Sequence, residues 1–390
     1  MIPYGRQSID EDDVAAVVAA LRSDFLTQGP AVERFEAALI AATGSAHAVA
    51  VNSATSALHL ACLALGLGPG KHLWTSPNTF VATANAARLC GAEVGFVDVD
   101  PRTYNLDPEA LEARLAAARR RGEPGPDVVA TVNFAGQPCR VEAIRQLADA
   151  YGFRVLEDAS HAVGARWRGE PVGCGRHADV TVFSFHPVKI VTTGEGGAAL
   201  TADPGLAARM RLLRTHGVTR DPALVEGALD GPWSYAQVDL GLNYRMTDLQ
   251  AALGRSQMGR LDVFLARRRA LAARYDGLLA GLPLTIPWQD PDGLSAYHLY
   301  PVRLDVERFR GGRLAAYEAL RARGIGVQVH YIPVHTQPYY RALGSAPGDC
   351  PVAEGYYAGA LSLPLYAGLS DADQDRVVEA VDAVCRDLAA

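Results

Sequence analysis

From Ala48 to Thr201, short apolar segments of strand length alternate with longer segments of helical spacing. The strand-like stretches are Ala48 to Val51, His72 to Thr75, Glu93 to Val97, Val128 to Phe134, Arg154 to Glu157, Val180 to Phe185 and Ala198 to Thr201. Helices are predicted from Asn52 to about Leu67, Val81 to Cys90, Pro108 to Arg121 and Val141 to Tyr151. This alternation excludes an all-helical or all-β design. It requires an α/β fold with a mostly parallel sheet covered by helices. Two amphipathic helices, Asp12 to Leu21 and about Ala31 to Ala42, precede it. Downstream, Gly254 to Leu279 reads as one long arginine-rich helix. Strands at Tyr297 to Leu304 and Gly326 to Tyr331, with helices at Arg313 to Arg323 and Asp371 to Leu388, then make a smaller α+β C-terminal domain. The expected division is 1–262, an N-terminal arm and the large domain, and 263–390, the small domain.

The 390 residues are 49% apolar and 21% charged, enough to bury a large core. The net charge of −6 argues against a nucleic-acid partner, which needs a basic face to displace counterions. No apolar run approaches the roughly 20 residues of a membrane span, so no membrane association is expected. The start of the chain has no apolar signal segment, and the six cysteines are scattered without disulfide or zinc spacing. A cytoplasmic location and no metal are therefore expected.

Only two of the 37 basic residues are lysines, Lys71 and Lys189; the rest are arginines. Where a lysine stands in a polar, glycine-rich setting, a specific chemical reason is expected. An amine can lose its proton and attack a carbonyl; a guanidinium effectively cannot. Lys189 follows a strand end in Phe183-Ser-Phe-His-Pro-Val-Lys-Ile, and Gly194, Gly196 and Gly197 let backbone approach closely just beyond it. It is a candidate Schiff-base former. In Arg154-Val-Leu-Glu-Asp-Ala-Ser-His161 a strand ends in two acids, one of which should point to the crevice where α/β sheets bind ligands. A carboxylate there could hold a pyridinium nitrogen protonated, although a helix-capping aspartate is the commoner use. Val51-Asn-Ser-Ala-Thr-Ser brings a strand to a helix whose free amides suit a phosphate, or are simply capped. Gly66-Leu-Gly-Pro-Gly-Lys71 lacks the Ser/Thr and helix of a P-loop, and no GxGxxG opens a βαβ unit.

These segments, with Gly194-Glu-Gly-Gly197 and Gly241-Leu-Asn-Tyr-Arg-Met-Thr-Asp-Leu-Gln250, resemble the sugar-nucleotide aminotransferases along essentially the whole chain. The resemblance implies pyridoxal 5'-phosphate as cofactor and the aspartate-aminotransferase fold (fold type I). Leu26-Thr-Gln-Gly-Pro30, Asn52-Ser-Ala-Thr-Ser-Ala-Leu58, Phe134-Ala-Gly-Gln-Pro138 and Val329-His-Tyr-Ile-Pro333 are similar to the subgroup that aminates C4 in pseudaminic acid biosynthesis. That subgroup takes L-glutamate and a UDP-linked 4-keto-6-deoxy-N-acetylhexosamine to UDP-4-amino-4,6-dideoxy-N-acetyl-β-L-altrosamine.

Carried over by position, the resemblance implies that Lys189 bears the cofactor, Asp158 pairs with its ring nitrogen and His161 sits near the ring. Phe80 would cover one ring face. The phosphate would meet the Ala54 and Thr55 amides, the Ser184 hydroxyl and Asn243 from a partner subunit, which implies a homodimer with shared active sites. Tyr4, the loop Asp24, Phe25, Leu26 and Thr27, together with His330 and Tyr331, would line the sugar-nucleotide pocket, with Arg245 a candidate diphosphate partner. A pyridoxamine-dependent sugar dehydratase resembles this chain too, but that class has histidine where Lys189 stands. A non-catalytic sugar-nucleotide binder is the other alternative.

Overall fold

A computed structural model describes residues 1–225 and 230–390. Its largest sheet has seven strands: β1 (His47–Val51), β2 (His72–Thr75), β3 (Glu93–Phe96), β4 (Val128–Val132), β5 (Arg154–Asp158), β6 (Val180–Ser184) and β7 (Gly197–Thr201). They lie in the order β1-β7-β6-β5-β4-β2-β3. The run from β6 to β3 is parallel, and β7 is antiparallel to both its neighbours. β4 and β6 are buried along their whole length, as strands covered on both faces must be.

Around this sheet run α1 (Glu11–Leu21), α2 (Pro30–Thr43), α3 (Ala54–Ala64), α4 (Ala82–Leu89), α5 (Pro108–Arg121), α6 (Val141–Tyr151), α7 (Pro204–Arg214), α8 (Asp248–Met258) and α9 (Leu261–Leu278). Their ends carry local instructions. In α5, the Asp107 side chain accepts from the Glu109 amide, Pro108 opens the first turn, and Arg119 to Arg121 face the negative end of the helix dipole. Left-handed Gly122 then stops it.

A second, antiparallel sheet joins β8 (Leu284–Thr285), β9 (Tyr300–Leu304) and β10 (Ala360–Leu363). Its core gathers Tyr275, Tyr300, Leu320, Leu363 and Val377, and it also buries Ile2 from the start of the chain. Phe264 and Leu265 of α9 pack instead with Phe35, Phe183 and Phe185 beside the large sheet, while Leu271 and Tyr275 enter the second core. The two cores therefore meet along α9. Each buried aromatic or leucine contributes roughly 1.5–3 kcal/mol, so both are sizeable.

Two sequence expectations differ from the structure. The long helix expected from Gly254 is broken: α8 ends at Met258 and α9 starts at Leu261. Gly259 weakens the helix there. Arg260 turns aside to pair with Asp10 at 2.7 Å and with buried Asp13. The segment Gly326 to Tyr331 is not a strand. Its backbone joins Ile2 through Gly326 and Ser362 through Gln328, and then leaves the sheet to line a cavity.

Candidate active site

Register brings four strand ends together. Asp158 at the end of β5 lies beside Val182 of β6, and Ser184 of β6 lies beside Gly197 of β7, which in turn faces Val51 of β1. Beyond these ends opens a cavity of about 620 Å³, within the range of small-molecule sites. Tyr4, Ala54, Thr55, Phe80, Asp158, His161, Ser184, Lys189, His330 and Tyr331 all line it. The sequence expectations thus converge from six separate stretches of chain.

Successive strand residues face opposite ways, which separates the two acids of β5. Glu157 turns away from the cavity, accepting from Asn133 Nδ2 and Thr181 Oγ1, both at 2.9 Å. Asp158 turns into it, accepting from Thr83 Oγ1 at 2.7 Å and the Ser160 amide at 3.1 Å. The carboxylate is therefore gripped from behind, with room for a further partner in front.

Lys189 sits in the turn after β6, where its amide donates to the His186 carbonyl at 2.9 Å. Its half-buried side chain lines the cavity, and Nζ lies 3.5 Å from Nε2 of His298. Burial pushes the amine down to about 8, against an upward pull from Asp158. An amine lowered this far has a much larger neutral fraction near neutral pH than a free lysine, which favours its use as a nucleophile.

Behind the amine, α3 begins. Ser53 caps the Ser56 amide at 3.1 Å, and the first amides of the helix, those of Ala54 and Thr55, have no intrahelical acceptor. This helix end can come so close only because residue 197 is glycine. A Cβ there would stand 2.5 Å from the Ala54 nitrogen.

On the opposite wall the Ala135 amide donates to His161 Nδ1 at 3.3 Å, and His161 Nε2 is 3.1 Å from the Tyr331 hydroxyl. Burial holds His161 well below the usual imidazole value, so it is neutral. With Nδ1 accepting, its proton sits on Nε2 and goes to the Tyr331 oxygen. The Tyr331 hydroxyl proton is then left for the cavity. His330 is anchored at Nδ1 by Ser362 Oγ at 2.8 Å, and burial lowers it to about 3. Phe80 is 59% exposed at the mouth, with its ring 6.3 Å from that of Tyr331.

Six expected site residues lie elsewhere in their own chain. Phe25 and Leu26 are half exposed, Leu26 accepts from the Asp248 amide at 3.0 Å, and Thr27 bridges to Thr247. Asp24 is exposed beside them. Asn243 bridges to Thr215 and accepts from Asn52 Nδ2 at 3.4 Å, and Arg245 bridges to Val51. None of the six lines the cavity. Conversely, His298 and Thr83 contact the two central side chains and were not among the expected residues. No local motif marks either one; His298 reaches the cavity because the backbone of Tyr297 and His298 packs against Gly136, where a Cβ would fall 2.8–2.9 Å from their nitrogens.

The donor set suits pyridoxal phosphate: a buried amine for its aldehyde, a carboxylate for its ring nitrogen, and free amides with a serine hydroxyl for its phosphate. Among the described residues no cluster of histidine, cysteine and acidic side chains could hold a metal ion.

The comparisons with known proteins agree. The DegT/DnrJ/EryC1/StrS aminotransferase family profile matches residues 7–382. The chain is 41% identical over 383 residues to the spore coat polysaccharide biosynthesis protein SpsC of Bacillus subtilis, covering 97% of this chain and 96% of that one. It superposes on Helicobacter pylori PseC, an aminotransferase involved in pseudaminic acid biosynthesis, with a TM-score of 0.90 and 30% identity, over 99% of this chain and 100% of that one. Spr1654 of Streptococcus pneumoniae, in its PLP form, matches with a TM-score of 0.88 and 29% identity, over 99% of each chain. The chain belongs to the DegT/DnrJ/EryC1/StrS family and is a pyridoxal-phosphate-dependent sugar aminotransferase.

Proposed function

We propose that this enzyme moves the amino group of L-glutamate to the C4 ketone of a UDP-linked 4-keto-6-deoxy-N-acetylhexosamine. The product is UDP-4-amino-4,6-dideoxy-N-acetyl-β-L-altrosamine, on the way to pseudaminic acid. The observation that carries this reading is the likeness to PseC along the whole chain.

Pyridoxal phosphate, when bound, supplies an aldehyde to carry the amino group and a ring to take up the electron pair released at the substrate carbon. Lys189 is assigned the proton work. Its neutral Nζ takes the proton from glutamate Cα and, in the second half-reaction, delivers one to sugar C4. Asp158, fixed by Thr83 and Ser160, would pair with the ring nitrogen and hold it protonated. The Ala54 and Thr55 amides and the Ser184 hydroxyl hold the phosphate. Phe80 and His161 would hold the ring between them, and Tyr4, His330 and Tyr331 would offer neutral hydrogen-bonding rings to the sugar.

The active unit in this proposal is a homodimer in which Asn243 meets the partner's phosphate. Arg245 and the loop Asp24 to Thr27 reach substrate across the same interface. In support, large apolar side chains stand exposed near these segments in sequence, among them Phe25, Leu26, Trp233, Tyr235 and Leu240. The cytoplasm is the proposed location: all six cysteines are free thiols.

A second acceptor deserves testing, because identity to SpsC is higher than to PseC. It is a different keto-sugar nucleotide used for a surface polysaccharide. The experiment is a panel of UDP- and dTDP-linked keto-sugars with glutamate, followed by mass spectrometry. The UDP-4-keto-N-acetylhexosamine should gain an amine at C4, and amination of other sugars alone refutes the proposal. Borohydride should fix the cofactor to the wild-type chain and not to Lys189→Ala; fixation in both removes Lys189 from its assigned role.

A further inference from the structure

His298 is buried, and among the described residues the only polar neighbour at its ring nitrogens is the reactive amine. Nε2 lies 3.5 Å from Lys189 Nζ, while Nδ1 is buried with no hydrogen-bond partner among the described residues. The ring packs against that of His161, with centroids 4.3 Å apart. Its backbone carbonyl accepts from Nη1 of buried Arg268 at 3.2 Å, so a fixed cation already stands close behind it.

Burial, together with Lys189, His161, Arg268 and His330, holds His298 well below the usual imidazole range. A neutral imidazole carries one proton, on one of two nitrogens. On Nδ1 it would be a buried N–H without an acceptor, a costly arrangement. On Nε2 it has the lone pair of a neutral Lys189 to receive it. An ammonium at Nζ would instead set donor against donor across the same 3.5 Å.

We propose that His298 donates its Nε2–H to Lys189 Nζ and thereby holds that amine in its neutral, reactive form whenever it is free of cofactor and substrate. The other groups around the pair are Asp158, which favours the ammonium, and Arg268, which opposes a second cation. His161, His330 and Tyr331 are neutral. His298 thus offsets Asp158, so that one carboxylate can serve the ring nitrogen without converting Lys189 into its ion-pair partner. The inference rests on Lys189 being the reactive amine of the proposed function.

The scarcity of lysine makes the test clean, because Lys71 and Lys189 carry the only side-chain amines. The cofactor-free, full-length chain is reductively methylated with formaldehyde and cyanoborohydride across a pH series. The peptides bearing each lysine are then quantified by mass spectrometry. Only neutral amine reacts. Loss of a bond of about 1.4 kcal/mol corresponds to tenfold. His298→Phe should therefore label Lys189 about tenfold more slowly at neutral pH, with its midpoint moved upward. His298→Gln, whose amide can still donate, should stay near wild type. Exposed Lys71, paired with Asp127 at 2.9 Å, should not change in any variant. In the cofactor-loaded enzyme the acid limb of the glutamate half-reaction should move the same way.

Superposable Lys189 curves for wild type and His298→Phe overturn the proposal, as does an equal shift in His298→Gln. A merely structural role would lower the melting temperature without moving the Lys189 midpoint. If His298→Phe does not fold, His298→Ala replaces it with the same two outcomes. Labelling needs no sugar nucleotide, so failure to aminate any keto-sugar leaves this result standing. Failure of borohydride fixation at Lys189 tests the underlying assignment separately.

Discussion

The Thr83 hydroxyl donates to Asp158 Oδ2 across 2.7 Å, linking the first turn of α4 to the end of β5, 75 residues away. Thr83 is itself 2.7 Å from Thr79 Oγ1, so the donor is part of a short chain of hydroxyls. With Thr83 on Oδ2 and the Ser160 amide on Oδ1, the Asp158 carboxylate is fixed in orientation at the cavity wall. Thr83→Val keeps the shape and removes the bond. A hydrogen bond to a charged group is worth about 1.5–3 kcal/mol. Cofactor affinity, measured by fluorescence titration, should fall about tenfold or more, and an unchanged dissociation constant would remove Thr83 from the site.

The titration of the site follows from which groups are already neutral. His161 and His330, like His298, are pushed below the imidazole range by burial, so none should give a limb in the region where a free histidine titrates. Lys189 has its folded value lowered to about 8, far below a free amine. Capture of pyridoxal phosphate by the cofactor-free chain should therefore slow as pH falls through about 8 and level off above it. Folding stability carries the same sign. Between that value and the ordinary lysine value the unfolded chain binds the extra proton, so the contribution grows as pH rises. Stopped-flow absorbance against pH measures the first effect, and chemical denaturation the second.

Gly197→Ala places a methyl group 2.5 Å from the Ala54 nitrogen and 2.6 Å from the Ser53 carbonyl carbon. Both are backbone atoms and cannot swing away, so the start of α3 must move. Overpacking of this kind costs about 1–3 kcal/mol. The melting temperature and the affinity for the cofactor phosphate should both fall. Gly355→Ala is the matched control. It lies exposed in the helix Pro351–Gly359 with nothing near its Cβ, and should be neutral or slightly stabilising.

Tyr331→Phe removes the oxygen that receives the His161 Nε2 proton and leaves a buried N–H unpaired. That costs about 1–3 kcal/mol. In the proposed assignment Tyr331 serves the sugar. The half-reaction with keto-sugar should therefore slow more than that with glutamate when the two are followed separately by absorbance. Equal slowing of both would place Tyr331 with the cofactor instead.

What could be read from the sequence was whatever the chain writes locally. The strand ends at Asp158 and Ser184, the turn with Lys189 and the capped start of α3 each sit in a few consecutive residues. Strand register then assembled them. What could not be read depends on packing between distant segments. Thr83 is one small residue among several in an alanine-rich helix, and its partner is a carboxylate on another element. His298 follows Tyr297, whose φ is 48° where the chain packs closely against Gly136. The break at Gly259 and Arg260 answers to Asp10 and Asp13, nearly 250 residues earlier. For Gly326 to Tyr331 the alternation suggested a strand, but those residues find only isolated partners, because their side chains are wanted in the cavity wall.

The opening residues of the chain are fastened by its closing ones. The Ile2 amide donates to the Gly324 carbonyl at 2.8 Å, Ile2 accepts from Gly326 at 2.7 Å, and Tyr4 accepts from Leu365 at 3.0 Å. Tyr4, which lines the cavity, therefore takes its place only when the segments around 324 and 365 are folded beside it. A chain cut before residue 324 would lose the His330 and Tyr331 side of the cavity outright and leave Tyr4 without its anchors, so the chamber holding Lys189 and Asp158 would stand open along that whole side.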